Sequence, residues 1–117
     1  MKSYIVEENV VLRLGVTVGD GTVIKCAAII GTGVSIGKNC YIGPQAMLLH
    51  MQPDGSSKPA VIEDNVFVGA GAIILPGVKI CTGTIIGAGS VVNKSIYEPG
   101  TYAGVTCRKI SNKVYTA

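Results

Sequence analysis

Aliphatic residues recur at every sixth position along almost the whole of this chain of 117 residues. A period of six matches neither the period of about 3.6 of an amphipathic helix nor the in-and-out alternation of an ordinary strand. It is typical of a β-solenoid assembled from hexapeptides. The positions are all Val, Ile or Leu and form two runs: Val6, Leu12, Val18, Ile24, Ile30, Ile36, Ile42 and Leu48, then Ile62, Val68, Ile74, Ile80, Ile86 and Val92.

Each hexapeptide shows the same division of roles once the aliphatic residue is placed at position 1. Position 5 is mostly small or β-branched, and position 4 is rich in Gly and Asn, which tolerate left-handed backbone dihedrals. We therefore expect a short extended segment with position 1 in the core, followed by a turn at position 4. Three hexapeptides make one triangular coil of about eighteen residues. A right-handed parallel β-helix, with longer and less regular coils, is the structural alternative.

The regular spacing is interrupted once, between Leu48 and Ile62. This gap of fourteen residues fits either one hexapeptide plus eight extra residues or two hexapeptides plus two. Only the first frame sorts the outward position 6 residues into two apolar faces and one largely polar face, since side chains alternate in and out along a strand. It gives nearly five coils over residues 6–97 and one loop over about residues 54–61. The predicted outer columns are Val11, Ile29, Met47, Ile73 and Val91; Val23, Tyr41, Phe67 and Ile85; and Thr17, Ser35, Pro53, Lys79 and Tyr97.

Two apolar outer faces would leave a large exposed patch on so narrow a rod. A closed three-fold ring, in which each subunit offers one face to each neighbour, would bury both faces, so the pattern predicts a homotrimer. Partial cover by the loop and the C-terminal tail is the alternative. Glu98-Pro99-Gly100 ends the repeat, because proline has no N–H to donate to a strand ladder. The tail over residues 98–117 is expected to cap the open end of this single domain, residues 1–117.

Composition narrows the class of protein. Hydrophobic residues make up 48% of the chain and charged residues 15%, which is too apolar for disorder, and no apolar stretch approaches the ~18 residues of a membrane span. A net charge of +3 without a dense basic stripe does not indicate nucleic-acid binding. The N-terminus has no signal-peptide core, so we expect a cytoplasmic location. The four cysteines lack metal-ligand spacing and are interpreted as free thiols: Cys26, Cys40, Cys81 and Cys107.

The second half of the chain carries more specific motifs. KPAVIEDNVFVG at 58–69, ILPGV at 74–78, IGAGSVVNK at 86–94 and AGVTCRKI at 103–110 follow one another in this order. This ordered set resembles the hexapeptide acyltransferases, above all the galactoside, maltose and xenobiotic acetyltransferase group and the small sugar O-acetyltransferases. The resemblance implies an all-β fold, a left-handed parallel β-helix with one loop insertion and a C-terminal capping tail. It also implies a trimer, acetyl-CoA as acyl donor and active sites between subunits.

The resemblance assigns roles to particular residues. His50, the only histidine, stands beside the interruption and is expected to act as general base, since an ordinary imidazole can accept a hydroxyl proton at neutral pH. Ala70 and Ala88 fall one coil apart at position 3, where small groups would let the CoA arm approach backbone amides. Lys94, in the column of His50 and about two coils or roughly 10 Å away, suits an extended CoA. Arg108 matches the family's basic residue that meets the CoA phosphates.

The predicted function is transfer of an acetyl group from acetyl-CoA to a hydroxyl of a sugar or saccharide. An amino-sugar N-acetyltransferase and a non-catalytic structural trimer are the alternatives. The family histidine usually comes later in its unit and the family loop is longer, a departure that favours the non-catalytic alternative modestly. Asp54 is interpreted as a turn residue of the loop. The γ-type carbonic anhydrases share the fold but need three histidines on zinc, so we expect no metal. From the composition we expect neither a nucleic-acid partner nor membrane insertion.

Overall fold

The computed structural model describes residues 3–117, which form sixteen short β-strands in stacked triangular coils. None of these residues belongs to a helix that could cross a membrane. The strands are β1 Ile5–Val6, β2 Val11–Leu12, β3 Thr17–Val18, β4 Val23–Ile24, β5 Ile29–Ile30, β6 Ser35–Ile36, β7 Tyr41–Ile42, β8 Met47–Leu48, β9 Val61–Ile62, β10 Phe67–Val68, β11 Ile73–Ile74, β12 Lys79–Ile80, β13 Ile85–Ile86, β14 Val91–Val92, β15 Thr101–Ala103 and β16 Arg108–Ser111.

Every third strand pairs in parallel with the strand one coil away, which produces three sheets. Sheet A has the order β1-β4-β7-β10-β13-β15-β16, sheet B the order β2-β5-β8-β11-β14, and sheet C the order β3-β6-β9-β12. The register steps by eighteen residues wherever the chain is uninterrupted, as in the pairing of Val11 with Ile29 and of Ile29 with Met47. The architecture is therefore the predicted left-handed parallel β-helix of nearly five coils.

The core is the predicted column of position 1 side chains. Burying one such side chain stabilises the fold by about 1.5–3 kcal/mol. The full gain begins at Ile24, because Val6 and Leu12 of the first coil are each 38% exposed. At position 4 the backbone takes positive φ in most hexapeptides, even where the residue is Ala27 (62°) or Gln45 (60°) rather than Gly or Asn. Pro59 of the interrupted coil is an exception, because its ring fixes a negative φ. The large side chains that are fully buried include Ile24, Ile30, Ile42, Leu48, Ile62, Ile74, Ile80, Ile86 and Val92.

Polar groups inside the solenoid bridge successive coils. The buried Thr22 hydroxyl donates to the Gly37 carbonyl at 2.6 Å and accepts from the Cys40 amide at 3.0 Å. Burial raises the pKa of the Cys40 thiol, so this side chain behaves as a small apolar filler. All four cysteines are free, as predicted.

The interruption lies elsewhere than predicted. The turn that follows sheet B is closed in other coils by a bond from position 5 to position 2, such as Val34 N to Gly31 O, and here it is closed by Ala60 N to Leu49 O at 3.1 Å. Lys58 takes position 3 of this coil, since its carbonyl accepts from Gly77 N just as the Leu14 carbonyl accepts from Gly33 N. The eight inserted residues are therefore 50–57, and the predicted loop over 54–61 is wrong.

This displacement changes one outer column. Val61, rather than the predicted Pro53, stands between Ser35 and Lys79 in sheet C. Pro53 lies at the tip of the loop, which folds back on itself through an antiparallel bridge between Met51 and Ser57. The number of extra residues and the other two outer columns agree with the prediction.

The C-terminal tail extends sheet A and then crosses its outer face. Strand β15 pairs with β13 in parallel, and β16 returns antiparallel to β15. Beyond β16, the Tyr115 amide bonds to the Gly83 carbonyl, and the Tyr115 ring packs against Phe67 with 5.4 Å between ring centroids. Phe67 itself stacks on Tyr41 at 4.6 Å. The tail thus covers part of one apolar face, while Val11 (44% exposed) and Ile29 (38%) remain open on sheet B.

Candidate active site

The three corners of each coil stack into three edges that run the length of the solenoid. The edge between sheets B and C carries Arg13, Gly31, Leu49, Leu75 and Asn93 on successive rungs, and we name it the histidine edge. The edge between sheets A and B carries Ala70 and Ala88, and we name it the alanine edge. The edge between sheets C and A is the third edge. Rungs are about 4.8 Å apart.

His50 is the first residue of the inserted loop and packs across the neighbouring rung. Its Nδ1 lies only 2.7 Å from the point that a Cβ on Gly31 would occupy, so the imidazole fills the space of the missing side chain. Any larger residue at 31 would displace the ring, because a Cβ there would also lie 2.9 Å from the Leu48 carbonyl oxygen. His50 as a whole is half-buried.

Neither the loop nor the coils supply a hydrogen-bond partner to the imidazole among residues 3–117. Asp54, which follows in the same loop, is occupied by its own turn. Its Oδ1 accepts from the Ser56 hydroxyl at 2.6 Å and from the Ser56 amide at 2.9 Å, and these bonds lower the pKa of the Asp54 carboxyl. Packing on Gly31, rather than a carboxylate, therefore orients His50.

A groove runs from the loop toward the C-terminal end of the histidine edge. Its first part is an apolar cleft of about 590 Å³ between the loop and the next two coils. Its second part is a cavity of about 210 Å³ that includes Lys94 and Arg108, and Asn93 lines both. The apolar cleft is lined by Leu49, Met51, Gln52, Pro53, Leu75, Pro76 and Asn93.

His50 and Lys94 do share this edge, but not one column. Lys58 occupies the position below Pro76 and Lys94 that the sequence assigns to His50. Because the imidazole turns toward Gly31, it lies about three rungs from Lys94, roughly 14 Å, instead of about two. Lys94 and Arg108 are exposed, and neither makes an ion pair with another described residue.

Ala70 and Ala88 lie on a different edge from His50, with sheet B between them. Both are exposed, and their backbone N–H groups donate to no other residue in the range 3–117. The glycines one coil below allow close stacking here, because a Cβ on Gly43 or Gly69 would lie 2.6 Å from the nitrogen of Ala70 or Ala88, respectively. One chain therefore provides the predicted cofactor-binding residues on two separate edges.

The family is decided by a match that skips the inserted loop. The bacterial transferase hexapeptide (six repeats) family matches residues 15–50 and 59–94, so the unmatched residues nearly coincide with the insertion. The chain belongs to this family. Within 3–117, this hexapeptide protein gathers no set of three or more His, Cys, Asp or Glu side chains that could hold a metal ion.

Curated and solved relatives of the hexapeptide protein agree on the fold and differ in acceptor. It is 38% identical to a 2,3,4,5-tetrahydropyridine-2,6-dicarboxylate N-acetyltransferase of Staphylococcus aureus (strain Newman) over 63% of this chain and 31% of that protein. A maltose O-acetyltransferase from Clostridium difficile 630 superposes with a TM-score of 0.84 at 29% identity, over 96% and 67% of the two chains. A galactoside acetyltransferase in complex with coenzyme A gives 0.73 at 31%, over 84% and 55%. The chain thus spans about a third of the curated relative's length.

Three residues of the hexapeptide protein's site were not predicted from sequence. Gly31 places the imidazole, Lys58 closes the loop at its C-terminal end, and Asn93 joins the two parts of the groove. The sequence signal for Gly31 is that it is the one glycine at position 2 on this edge, where the other coils have Arg13, Leu49, Leu75 and Asn93.

Proposed function

We propose that this protein is an acetyl-CoA-dependent acetyltransferase that acts on a hydroxyl of a sugar or saccharide, with His50 as the general base. The observation that carries the proposal is the groove on the histidine edge, which starts at the loop that carries the only histidine and ends at two cations without ion pairs, Lys94 and Arg108. An extended thioester donor fits such a layout, with its phosphates at the cationic end and its acyl group at the loop. The CoA complex of the similar galactoside acetyltransferase supports the donor class.

The chemistry follows from the position of the imidazole. Nε2 takes the proton of the acceptor hydroxyl as its oxygen attacks the thioester carbonyl, and the resulting oxyanion needs N–H donors. Collapse breaks the carbon–sulfur bond, and the imidazolium returns the proton to the leaving thiolate. The free amides of Ala70 and Ala88 are available to hold the donor's arm, but from another edge.

A homotrimer would bring the two edges together, because each chain would offer its alanine edge to the histidine edge of a neighbour. The open apolar side chains of sheet B support such a contact, since a closed ring would bury them. We expect sedimentation equilibrium at micromolar protein to give three times the mass of one chain, 12.0 kDa. A monomer at that concentration would contradict both the trimer and the shared site.

Donor binding is tested most directly at the cationic end of the groove. Replacing Lys94 and Arg108 together by glutamine should weaken acetyl-CoA binding by about 10- to 100-fold, since two charge-assisted contacts to phosphate are lost. Isothermal titration calorimetry measures this affinity. The control is Lys38→Gln on the third edge, which also removes a positive charge and should bind acetyl-CoA normally. Absence of binding by the unmodified protein at millimolar acetyl-CoA would instead support the non-catalytic structural trimer.

N-acetylation of an amino sugar is the second candidate, and one observation favours it. The curated relative at 38% identity is an N-acetyltransferase, whereas the structural neighbours that support the proposal act on hydroxyl groups. Rates on matched acceptors, glucose against glucosamine, distinguish the two. A preference for the amine of more than about tenfold, at a pH where it is partly unprotonated, would overturn O-acetylation.

A further inference from the structure

The histidine edge continues beyond His50 in the direction away from the donor groove. Gly31 lies on the next rung toward the N-terminus, and Arg13 lies on the rung after that, since Arg13 N bonds to Ile30 O and Gly31 N to Leu48 O. The imidazole that rests over Gly31 is therefore about one rung, roughly 5 Å, from the backbone of Arg13. Thr32, the next residue after Gly31, is half-buried.

Arg13 has no counter-ion in the part of the chain that the structure describes. Three ion pairs form there, joining Lys25 to Glu7, Lys79 to Glu63 and Lys109 to Glu98. Arg13 is exposed and takes part in none of them. An arginine beside the candidate base, with its guanidinium free, is therefore available for an external anion.

The charges around the solenoid are segregated by edge. The acidic residues of the coils lie on the alanine edge, at Glu7 and Glu8, or on the third edge, at Asp20, Glu63, Asp64 and Glu98. The one carboxylate near the histidine edge is Asp54, which is bonded to Ser56 in the loop. An anion approaching His50 from the Arg13 side thus meets no nearby repulsive group on the coils.

We propose that Arg13 forms an acceptor subsite that selects substrates carrying an anionic group, a carboxylate or a phosphate, within one sugar ring of the hydroxyl that is acetylated. The guanidinium offers a fork of N–H donors that matches either group, and Arg13 lies one rung beyond Gly31, over which the imidazole packs. Donor and acceptor then approach the imidazole from opposite directions along one edge. This inference rests on the proposed function for the reaction, but the anion subsite can be tested without turnover.

The test uses His50 as a reporter, because the sole histidine gives one set of imidazole ring resonances. Glucuronate, glucose 6-phosphate and glucose are titrated separately into the full chain at constant ionic strength, with sodium chloride as a blank. We expect saturable shifts of the His50 ring protons with one or both anions and none with glucose or chloride. Arg13→Gln should weaken the response about 10- to 100-fold, whereas Lys38→Gln, an equal loss of charge on the third edge, should leave it unchanged.

Each outcome decides the subsite. Shifts with glucuronate alone assign it to carboxylates, and shifts with glucose 6-phosphate alone assign it to phosphates. Equal responses in Arg13→Gln and the unmodified protein, or no response to either anion, overturn the subsite. Arg13-dependent binding without acetyl transfer to any acceptor would leave the subsite standing and the proposed function refuted. Transfer to glucose and glucuronate with equal kcat/KM, unaltered in Arg13→Gln, would refute the subsite and leave the proposed function standing. Circular dichroism confirms that the variants, both at exposed positions, are folded.

Discussion

Replacing His50 by alanine is expected to lower kcat by about 10²- to 10⁴-fold on whichever acceptor the protein uses. His50 is the only histidine, the loop that carries it forms one wall of the apolar cleft, and an imidazole is the side chain most often used as a general base. The apparent affinity for acetyl-CoA should change little, because the candidate phosphate contacts lie about three rungs away at Lys94 and Arg108. Initial rates of thiol release at varied acetyl-CoA measure kcat and KM separately.

The matched control for this substitution is Ser57→Ala. Ser57 stands in the same loop, outside the lining of the groove, and its bridge to Met51 joins backbone groups, so it does not depend on the serine side chain. A drop in kcat shared equally by both variants would indicate a disturbed loop instead of a lost base. An unchanged rate in His50→Ala would refute the role of His50 outright.

Replacing Ile80 by alanine should reduce the free energy of unfolding by about 2–5 kcal/mol, the usual cost of removing a large aliphatic side chain from a packed core. Ile80 is fully buried and sits between Ile62 on one rung and Ile96, its bridge partner, on the next. The solenoid has a narrow interior, so the coils cannot close around the cavity without shifting their own hydrogen bonds. Urea denaturation at one fixed protein concentration measures the change.

Lys79→Ala, one residue earlier in the same strand, is the control. The Lys79 side chain is 49% exposed and pairs with Glu63 at 3.3 Å, an interaction worth about 0–1 kcal/mol at the surface. The two substitutions therefore separate the inward from the outward position of a two-residue strand. Similar losses in both would mean that position 1 does not form the core in solution.

The coil geometry was predictable from sequence because it rests on short-range regularities. An aliphatic residue every six positions and a turn residue at position 4 fix the rung length, and eighteen residues bring each strand back to the same sheet. The tight turn is robust enough to hold Ala27 and Gln45 at positive φ. The outward residues also gave the number of inserted residues, since any other frame mixes apolar and polar columns.

The position of the loop was not predictable in the same way. The length of the gap shows how many residues are extra. The periodicity does not show at which residue of the gap the strand ladder resumes. The sequence placed Pro53 in sheet C, whereas Val61 takes that site and Ala60 closes the turn. The β-branched Val61, with Ile62 next to it, fits a strand better than Pro53, which lacks an N–H to donate.

The site depends on contacts between residues distant in sequence, which no periodic pattern encodes. Gly31, nineteen residues earlier, sets the direction of the His50 ring. Tyr115, far along the tail, covers Phe67. The repeat frame put His50 and Lys94 in one column, whereas they share only an edge. The resemblance to acetyltransferases gave His50, Lys94 and Arg108 roles that stay predictions. It did not show that Ala70 and Ala88 stand on a separate edge of the same chain.

Because of the way the loop is inserted, changes in its sequence need not affect the coils. Leu49 and Ala60 keep the turn bond that three other coils make at this corner, and Lys58 accepts the bond that keeps the next coil in register. The inserted segment therefore lies outside the continuous backbone hydrogen bonding that joins the coils. Such a segment can lengthen, shorten or change composition without moving a single rung, so selection can rework what surrounds His50 while the coils beneath it stay constant.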